Sequence, residues 1–324
     1  MKICIYGAGA IGGYLGVQLM RAGADVSLVA RGAQLAAMRD RGLTLRIGDE
    51  EHVVDPRCTD SPAELGEQDI VIICLKAHAI TGVLAQMQPL LGARTRVVTA
   101  VNGIPFWYFY KHGHRYEGTT LDSVDPGGRQ WRELGAERAI GCIVYPATEI
   151  EAPGVIRHVY GNNFPLGEPS GEITADVVRL SALFESAGLK APVLPRIRDE
   201  IWLKLWGNVC FNPISALTHA TLDVICTDQR TRALAKAMML ETQAIAETFG
   251  AHFRVDVERR IDGACKVGAH RTSMLQDLER NRPMEIDPLV TVIQEMGRLT
   301  GIATPAIDAV LALVAQRARI AGLY

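Results

Sequence analysis

Residues 2–21 read KICIYGAGAIGGYLGVQLMR, and the reading of this stretch decides the fold. Lys2 to Tyr6 is a short apolar run. Gly7-Ala8-Gly9-Ala10-Ile11-Gly12-Gly13 follows, and a helical stretch then runs to Arg21 with Leu15, Leu19 and Met20 available for packing. Val26 to Ala30 reads as a second strand, entered through Ala22-Gly23-Ala24. A GxGxxG motif that leaves a strand, opens a helix and is followed by another strand has the context that makes it informative. Gly7 allows the tight turn, Gly9 lets backbone approach a pyrophosphate, and Gly12 lets the helix lie close to the strand. The loop Gly7, Ala8, Gly9, Ala10, Ile11 and Gly12 then offers N–H groups and the positive end of a helix dipole to phosphate oxygens. A bare strand–helix turn is the alternative. The context favours a bound dinucleotide.

Working outward, the alternation of strand and helix continues. Ile70 to Leu75 (IVIICL) and Arg96 to Val101 (RVVTAV) are continuous apolar runs rich in β-branched residues, which suit strands buried on both faces. The order predicts an α/β Rossmann domain over 1–194, with a parallel, doubly wound sheet covered by helices. Cofactor choice is read at the end of the second strand. A carboxylate there would bind the ribose 2′-hydroxyl of NAD, but Val29-Ala30 is followed by Arg31, with no acidic residue until Asp40. A guanidinium at ~4 Å from a 2′-phosphate gains about 4 kcal/mol of Coulomb attraction at an effective dielectric of ~20. NADPH/NADP is therefore the expected cofactor.

The chain has 324 residues, long for one core, so two domains are expected. Its 48% hydrophobic and 22% charged residues are an ordinary globular balance. A formal net charge of −2 gives no electrostatic reason for a nucleic-acid or anionic-membrane partner. Seven dispersed cysteines form no CxxC pair, and the residues that could imitate a cleavable leader belong to the first strand. A reducing, cytoplasmic setting is expected. No apolar run approaches the roughly 20 residues needed to span a bilayer.

From Pro195 the strand signals stop. Ile197, Ile201, Leu205 and Val209 recur at helical spacing, with similar patterns in 231–249, 274–281 and 289–299. Gly250 could end the second of these, Asp287-Pro288 reads as an N-cap and first helical position, and a final helix begins near Pro305. A mostly α-helical C-terminal domain over 195–324 is expected. Lys204, Asn208 and Asn212 stand four residues apart, so they share one gently drifting stripe, flanked by Trp202 and Trp206. A polar stripe facing solvent is the plain reading; a reaction surface is the other. Pro213 predicts that the helix kinks or ends after Asn212. Ser273, three residues before Gln276, fits a capping box.

These residues resemble the ketopantoate (2-dehydropantoate) 2-reductases. The likeness rests on GAGAIGG at 7–13, Arg31, LKAH at 75–78, NGI at 102–104, DEIWLKLWGNVCFNP at 199–213, SMLQD at 273–277 and MEID at 284–287. It implies an NADPH-dependent reduction of a 2-oxo acid, 2-dehydropantoate to pantoate, in pantothenate biosynthesis. Lys204 matches the catalytic proton donor, and Glu285 an acidic residue near cofactor and lysine. Asn208, Asn212 and Ser273 match substrate-binding residues. Asn102 and Lys76 match residues close to the nicotinamide and its ribose, Asn102 facing substrate as well, and Ala147 in YPAT matches a backbone contact to NADP. The site is expected between the domains.

Chemistry agrees with these roles. Hydride addition builds negative charge on the carbonyl oxygen, which calls for an acid or cation within hydrogen-bond reach. Asparagine and serine orient a carboxylate or hydroxyl without adding charge. Two departures from the family pattern stand out. After NGI comes a longer segment, PFWYFYKHGHRYEGTTLDSVDPGGRQW, that could cover the site or form an outside loop or contact surface. After Pro213 comes ISALTHATLDVI, which lacks the family's Asn-Gly-Glu pattern and puts Leu222 where a polar contact is expected. Reduction of a different 2-oxo acid and a non-catalytic NADPH-binding sensor are the alternatives. The histidines have no metal-like pairing, so no metal is expected, and the partners expected are a small 2-oxo acid and, at most, a second copy of the chain.

Overall fold

The computed structural model describes residues 1–113 and 115–324; His114, within the aromatic-rich segment, lies outside the described residues. The first strand β1 (Lys2–Tyr6) pairs in parallel with β2 (Asp25–Val29) on one side and β6 (Gln68–Ile73) on the other. Beyond β2 lies β5 (Arg57–Thr59), and beyond β6 lie β7 (Leu91–Thr99) and β8 (Ala139–Cys142), all parallel. The short β11 (Leu166–Gly167) closes the far edge antiparallel to β8. The strand order is β11-β8-β7-β6-β1-β2-β5, so the chain winds outward in both directions from β1. The loop after β1 thus stands at the point where the order reverses, the place where open α/β sheets bind ligands. This is the doubly wound Rossmann arrangement expected.

The limits of β1 match the sequence pattern and those of β2, β6 and β7 differ from it by one to five residues, because the ladder partners and not the apolar run decide where pairing stops. A larger difference is a second sheet. Strands β3 (Leu43–Ile47), β4 (Glu50–Val54), β9 (Ala147–Ala152) and β10 (Val155–Tyr160) form a four-stranded sheet in the order β4-β3-β10-β9. Their sequences LTLRI, EEHVV, ATEIEA and VIRHVY are half polar and carry weak period-2 alternation, since one face is open to water. The covered face receives helix Ala10–Arg21. A Cβ on Gly13 would fall 2.7 Å from Ile156, and the Tyr14 ring stacks on His158 with centroids 5.0 Å apart.

The chain divides into two compact units: residues 1–120 with 127–197, and residues 121–126 with 198–324. In the first unit the start of the aromatic-rich segment, residues 105–109, is core, whereas Lys111, Arg115 and Glu117 beyond it are exposed. Phe106, Trp107, Tyr108 and Phe109 are buried, and the Trp107 indole donates to the Thr99 hydroxyl at 2.9 Å. Burial of four large rings gives so aromatic a stretch its place in the core. Residues 121–126 of the same segment belong to the second unit: Glu295 accepts from the backbone N–H groups of Asp122 and Ser123 at 2.8 and 3.0 Å, and from the Ser123 hydroxyl.

The second unit is helical. The long helix Ile197–Thr218 is followed by Leu222–Thr227, Gln229–Thr248, Val257–Cys265, Ser273–Glu279, Val292–Thr300 and Pro305–Ile320. Gly250 and Gly301 follow helices at positive φ, 78° in each case, as expected of residues that end them. Asp287 is not the cap of the helix over 289–299. It lies inside a π-helical turn, Asp287–Thr291, and its carboxylate accepts from the hydroxyls of Thr291 and Tyr324, both at 2.7 Å. Among the described residues no helix is long and apolar enough to cross a membrane.

Candidate active site

In the first unit the loop after β1 is held by backbone. The N–H groups of Gly7 and Ala8 both donate to the Val29 carbonyl, at 3.0 and 3.1 Å. Gly7 has φ +107°, where a side chain is strained. Gly12 tolerates no substitution, because its Cβ would lie 2.0 Å from the Gly7 carbonyl oxygen. Gly9 is different: no protein atom lies within 4 Å of where its Cβ would be. It caps helix Ala10–Arg21 without any side-chain bond, and the first turn closes with Gly13 N–H donating to Gly9 O at 2.7 Å. Ala10, Ile11 and Gly12 therefore start the helix with N–H groups that have no intrahelical acceptor, beside open space above Gly9. Donors at the start of a helix, beside the open space at Gly9, fit a pyrophosphate.

Arg31 is exposed and occupies the cap position of helix Gly32–Arg41, two residues beyond β2. Asp40, by contrast, lies in the last turn of that helix. The phenol of Tyr6 is pushed up to about 12, chiefly by burial and further by Cys4, while the Arg31 charge opposes the rise. Lys76, half-buried, precedes the short helix Ala77–Ile80. Asn102, also half-buried, follows β7 in a bend that turns at Gly103 with φ +91°.

Ala147 opens β9 in the second sheet, paired with Tyr160. Its neighbour Thr148 pairs with His158, the residue stacked on Tyr14 of the glycine-loop helix. The Thr148 hydroxyl oxygen is buried with no hydrogen-bond partner. Buried hydroxyls are rarely left so without a ligand or water to meet them. Thr148 has no signature in residue spacing, because its orphaned hydroxyl depends on the pairing of β9 with β10.

In the second unit, helix Ile197–Thr218 carries Lys204, Asn208 and Asn212. Ile201, Trp202, Leu205, Trp206, Val209, Cys210 and Phe211 are buried, and the Trp206 indole donates to the Met239 carbonyl at 2.7 Å. Lys204 and Asn208 are half-buried on the same stripe, and Asn212 is only 5% exposed. This is not a solvent-facing stripe. It is a partly buried polar stripe among buried apolar neighbours, and exposure falls from Lys204 and Asn208 to Asn212.

The helix does not end at Asn212. It continues through Pro213 to Thr218, with Ile214, Ser215 and Ala216 buried. An interior proline costs about 3 kcal/mol, an amount that burial of the following turn offsets. Nor is Ser273 a cap. Thr272 holds that place, accepting from Leu275 N–H at 3.3 Å, and the Gln276 side chain bonds the Arg271 carbonyl instead of completing a capping box. The Ser273 hydroxyl is exposed, and the Asn212 amide donates to it at 3.3 Å. Glu285 enters from a separate segment before the π turn. It is 9% exposed, too enclosed for a solvated loop carboxylate.

Two family models cover the chain. Ketopantoate reductase PanE/ApbA matches residues 3–171, and the C-terminal model of the same family matches 196–318. A 2-dehydropantoate 2-reductase of Mesorhizobium japonicum is 56% identical over 100% of both chains. Among solved structures, a ketopantoate-reductase-like protein of Ralstonia solanacearum MolK2 is 41% identical, covers 100% of this chain and 99% of its own, and superposes with a TM-score of 0.96. The D-mandelate dehydrogenase solved with NADH and anilino(oxo)acetate, at 20% identity, 100% of both chains and a TM-score of 0.86, shares the fold. With a dinucleotide-type loop in one unit, a lysine–asparagine stripe in the other and both family models matched in order, the chain belongs to the ketopantoate reductase PanE/ApbA family.

Proposed function

We propose that this protein reduces 2-dehydropantoate to pantoate with NADPH, Lys204 acting as the proton donor. The observation that carries the reading is the polar stripe on helix Ile197–Thr218: Lys204 and Asn208 half-buried among apolar neighbours, with Asn212 bonded to Ser273 at its more buried end. A half-buried ammonium beside two carboxamides offers a proton and oriented hydrogen-bond donors on one helix face. The name of the 56% identical relative, 2-dehydropantoate 2-reductase, supports the substrate.

The nicotinamide, when bound, supplies a hydride to the ketone carbon. Lys204 then gives its proton to the ketone oxygen, so the alkoxide never accumulates. Asn208, Asn212 and Ser273 orient the carboxylate and hydroxyl groups of the acid, and Glu285 is the acidic partner beside the lysine and ribose. The glycine loop would hold the pyrophosphate, Lys76, Asn102 and Ala147 the nicotinamide side, and Arg31 the 2′-phosphate. Arg31 supports NADPH over NADH because it is exposed at the end of β2, and the nearest acidic residue along the chain after it lies in the last turn of the following helix. None of the seven cysteines forms a disulfide, which suits a cytoplasmic enzyme.

A second reading, another 2-oxo acid, is favoured by one residue. Leu222 is buried and apolar where the family pattern leads one to expect a polar contact. Steady-state turnover across a panel of 2-oxo acids, with NADPH and NADH side by side, separates the possibilities. Ketopantoate with NADPH should give the highest kcat/KM. A large preference for another acid replaces the substrate, an NADH preference removes the Arg31 argument, and binding without oxidation makes the protein a sensor.

A further inference from the structure

Gln34 spans two parts of the first unit that no short-range pattern connects. Its side-chain nitrogen donates to the Ala8 carbonyl in the glycine loop at 2.9 Å, and its side-chain oxygen accepts from the Gly154 N–H at 3.0 Å. Gly154 is the turn between β9 and β10, at φ +77°. That turn is itself anchored, since the Gly154 carbonyl accepts from Thr44 N–H of β3 at 2.8 Å. A Cβ there would approach the Ala37 side chain to 3.0 Å. Gly154 N–H can only donate, so the amide oxygen of Gln34 must face it and the NH₂ must face Ala8. Only one orientation of the amide satisfies both neighbours.

The consequence follows from peptide geometry. In a trans peptide the C=O of one residue and the N–H of the next point in opposite directions. Drawing the Ala8 carbonyl toward Gln34 therefore turns the Gly9 N–H the other way, away from the clamp. Glycine at position 9 makes a flip of the Ala8–Gly9 peptide cheap, since no Cβ resists it and the space where a Cβ would stand is open. A flipped peptide would present a carbonyl oxygen to the phosphates where an N–H is needed. Ala8 N–H is already held by the Val29 carbonyl, and Gln34 supplies the restraint on the other side of the residue.

We propose that Gln34 is a positioning residue for the dinucleotide: it holds the Ala8–Gly9 peptide with its N–H toward the pyrophosphate. This rests on the dinucleotide reading above and deepens it. Because the pyrophosphate is common to both nicotinamide dinucleotides, Gln34 acts on NADPH and NADH alike, whereas Arg31 acts on the 2′-phosphate alone.

The test is fluorescence titration of the full-length protein with NADPH and with NADH, for wild type, Gln34→Leu and Gln34→Glu. Gln34→Glu is nearly isosteric and keeps the acceptor for Gly154, but its carboxylate cannot donate to Ala8, so it separates clamp loss from misfolding. Both variants are expected to raise both dissociation constants by a similar factor, roughly three- to tenfold for one lost hydrogen bond. Saturating kcat should stay within about twofold of wild type, since loop preorganisation acts on binding. Wild-type-like binding of both cofactors by both variants overturns the proposal while leaving the dinucleotide reading intact. A loss confined to NADPH overturns it in favour of a direct 2′-phosphate contact. Absence of binding to the wild type overturns the dinucleotide reading and this proposal with it.

Discussion

The buried amide of Asn212 donates to the exposed hydroxyl of Ser273 at 3.3 Å, joining the long helix to the start of helix Ser273–Glu279 across 61 positions of sequence. The bond turns a buried carboxamide into the support of an accessible oxygen. Ser273→Ala should therefore raise KM for the 2-oxo acid, by roughly 10- to 100-fold for a bond to a carboxylate, with a smaller effect on kcat. Asn212→Ala should raise KM as well and lower the melting temperature, because a hydroxyl and a cavity are left behind. Steady-state kinetics with the acid varied reads both. An unchanged KM in Ser273→Ala would remove the serine from the substrate site.

Lys204→Ala should lower kcat by roughly 10²–10⁴, the usual worth of a general acid. Dinucleotide affinity, followed by NADPH fluorescence, should hardly change. Lys204→Arg should recover little, because a guanidinium keeps its proton too tightly to act as an acid. Turnover unaffected by Lys204→Ala would exclude the lysine from the reaction.

Arg31→Ala should raise KM for NADPH by roughly 10- to 100-fold and leave KM for NADH near its wild-type value. Arg31 is exposed, so the wild-type preference should also shrink with added salt as the charge is screened. Cofactor kinetics at low and high ionic strength check both statements, and an equal effect on the two cofactors would contradict the assignment.

Asp228 caps helix Gln229–Thr248, accepting from the N–H groups of Arg230 and Thr231 at 3.1 and 2.9 Å. The Thr231 N–H, then its hydroxyl, hold the Asp228 carboxyl below the ordinary aspartate range. A carboxyl with a depressed folded-state pKa stabilises fully above its unfolded value, near 3.9, and loses that contribution as pH falls through the folded value. Asp228→Ala should therefore melt earlier than wild type at pH 7. The gap should narrow as pH falls below about 4. Thermal melts at a series of pH values measure it; a gap independent of pH would mean that the cap acts through something other than the carboxylate charge.

The glycine loop, the parallel strands and the lysine–asparagine stripe were legible because each depends on neighbours in sequence. Gly7 and Gly12 are required by a turn and a helix packed within a dozen residues, and Lys204, Asn208 and Asn212 share a face by helical geometry alone. The aromatic run 106–109 was visible but its place was not, since burial of those rings depends on strands and turns distant in sequence. The second sheet left little trace. Its strands come from residues 43–54 and 147–160, one face is solvated, and the pairing of β3 with β10 joins segments that have no local contact.

The sequence by itself determined the dinucleotide-type loop, the absence of a carboxylate after β2 and the run of polar groups along one helix. These follow from local periodicity and residue chemistry. Tertiary structure alone decided that Ser273 meets Asn212 and does not cap its helix, that Pro213 leaves the helix unbroken, and that Gln34 holds Ala8 from the side of Gly154. In each case the deciding interaction joins residues far apart along the chain, and hydrogen bonds and packing across such distances are set by where the elements dock, which no local spacing encodes.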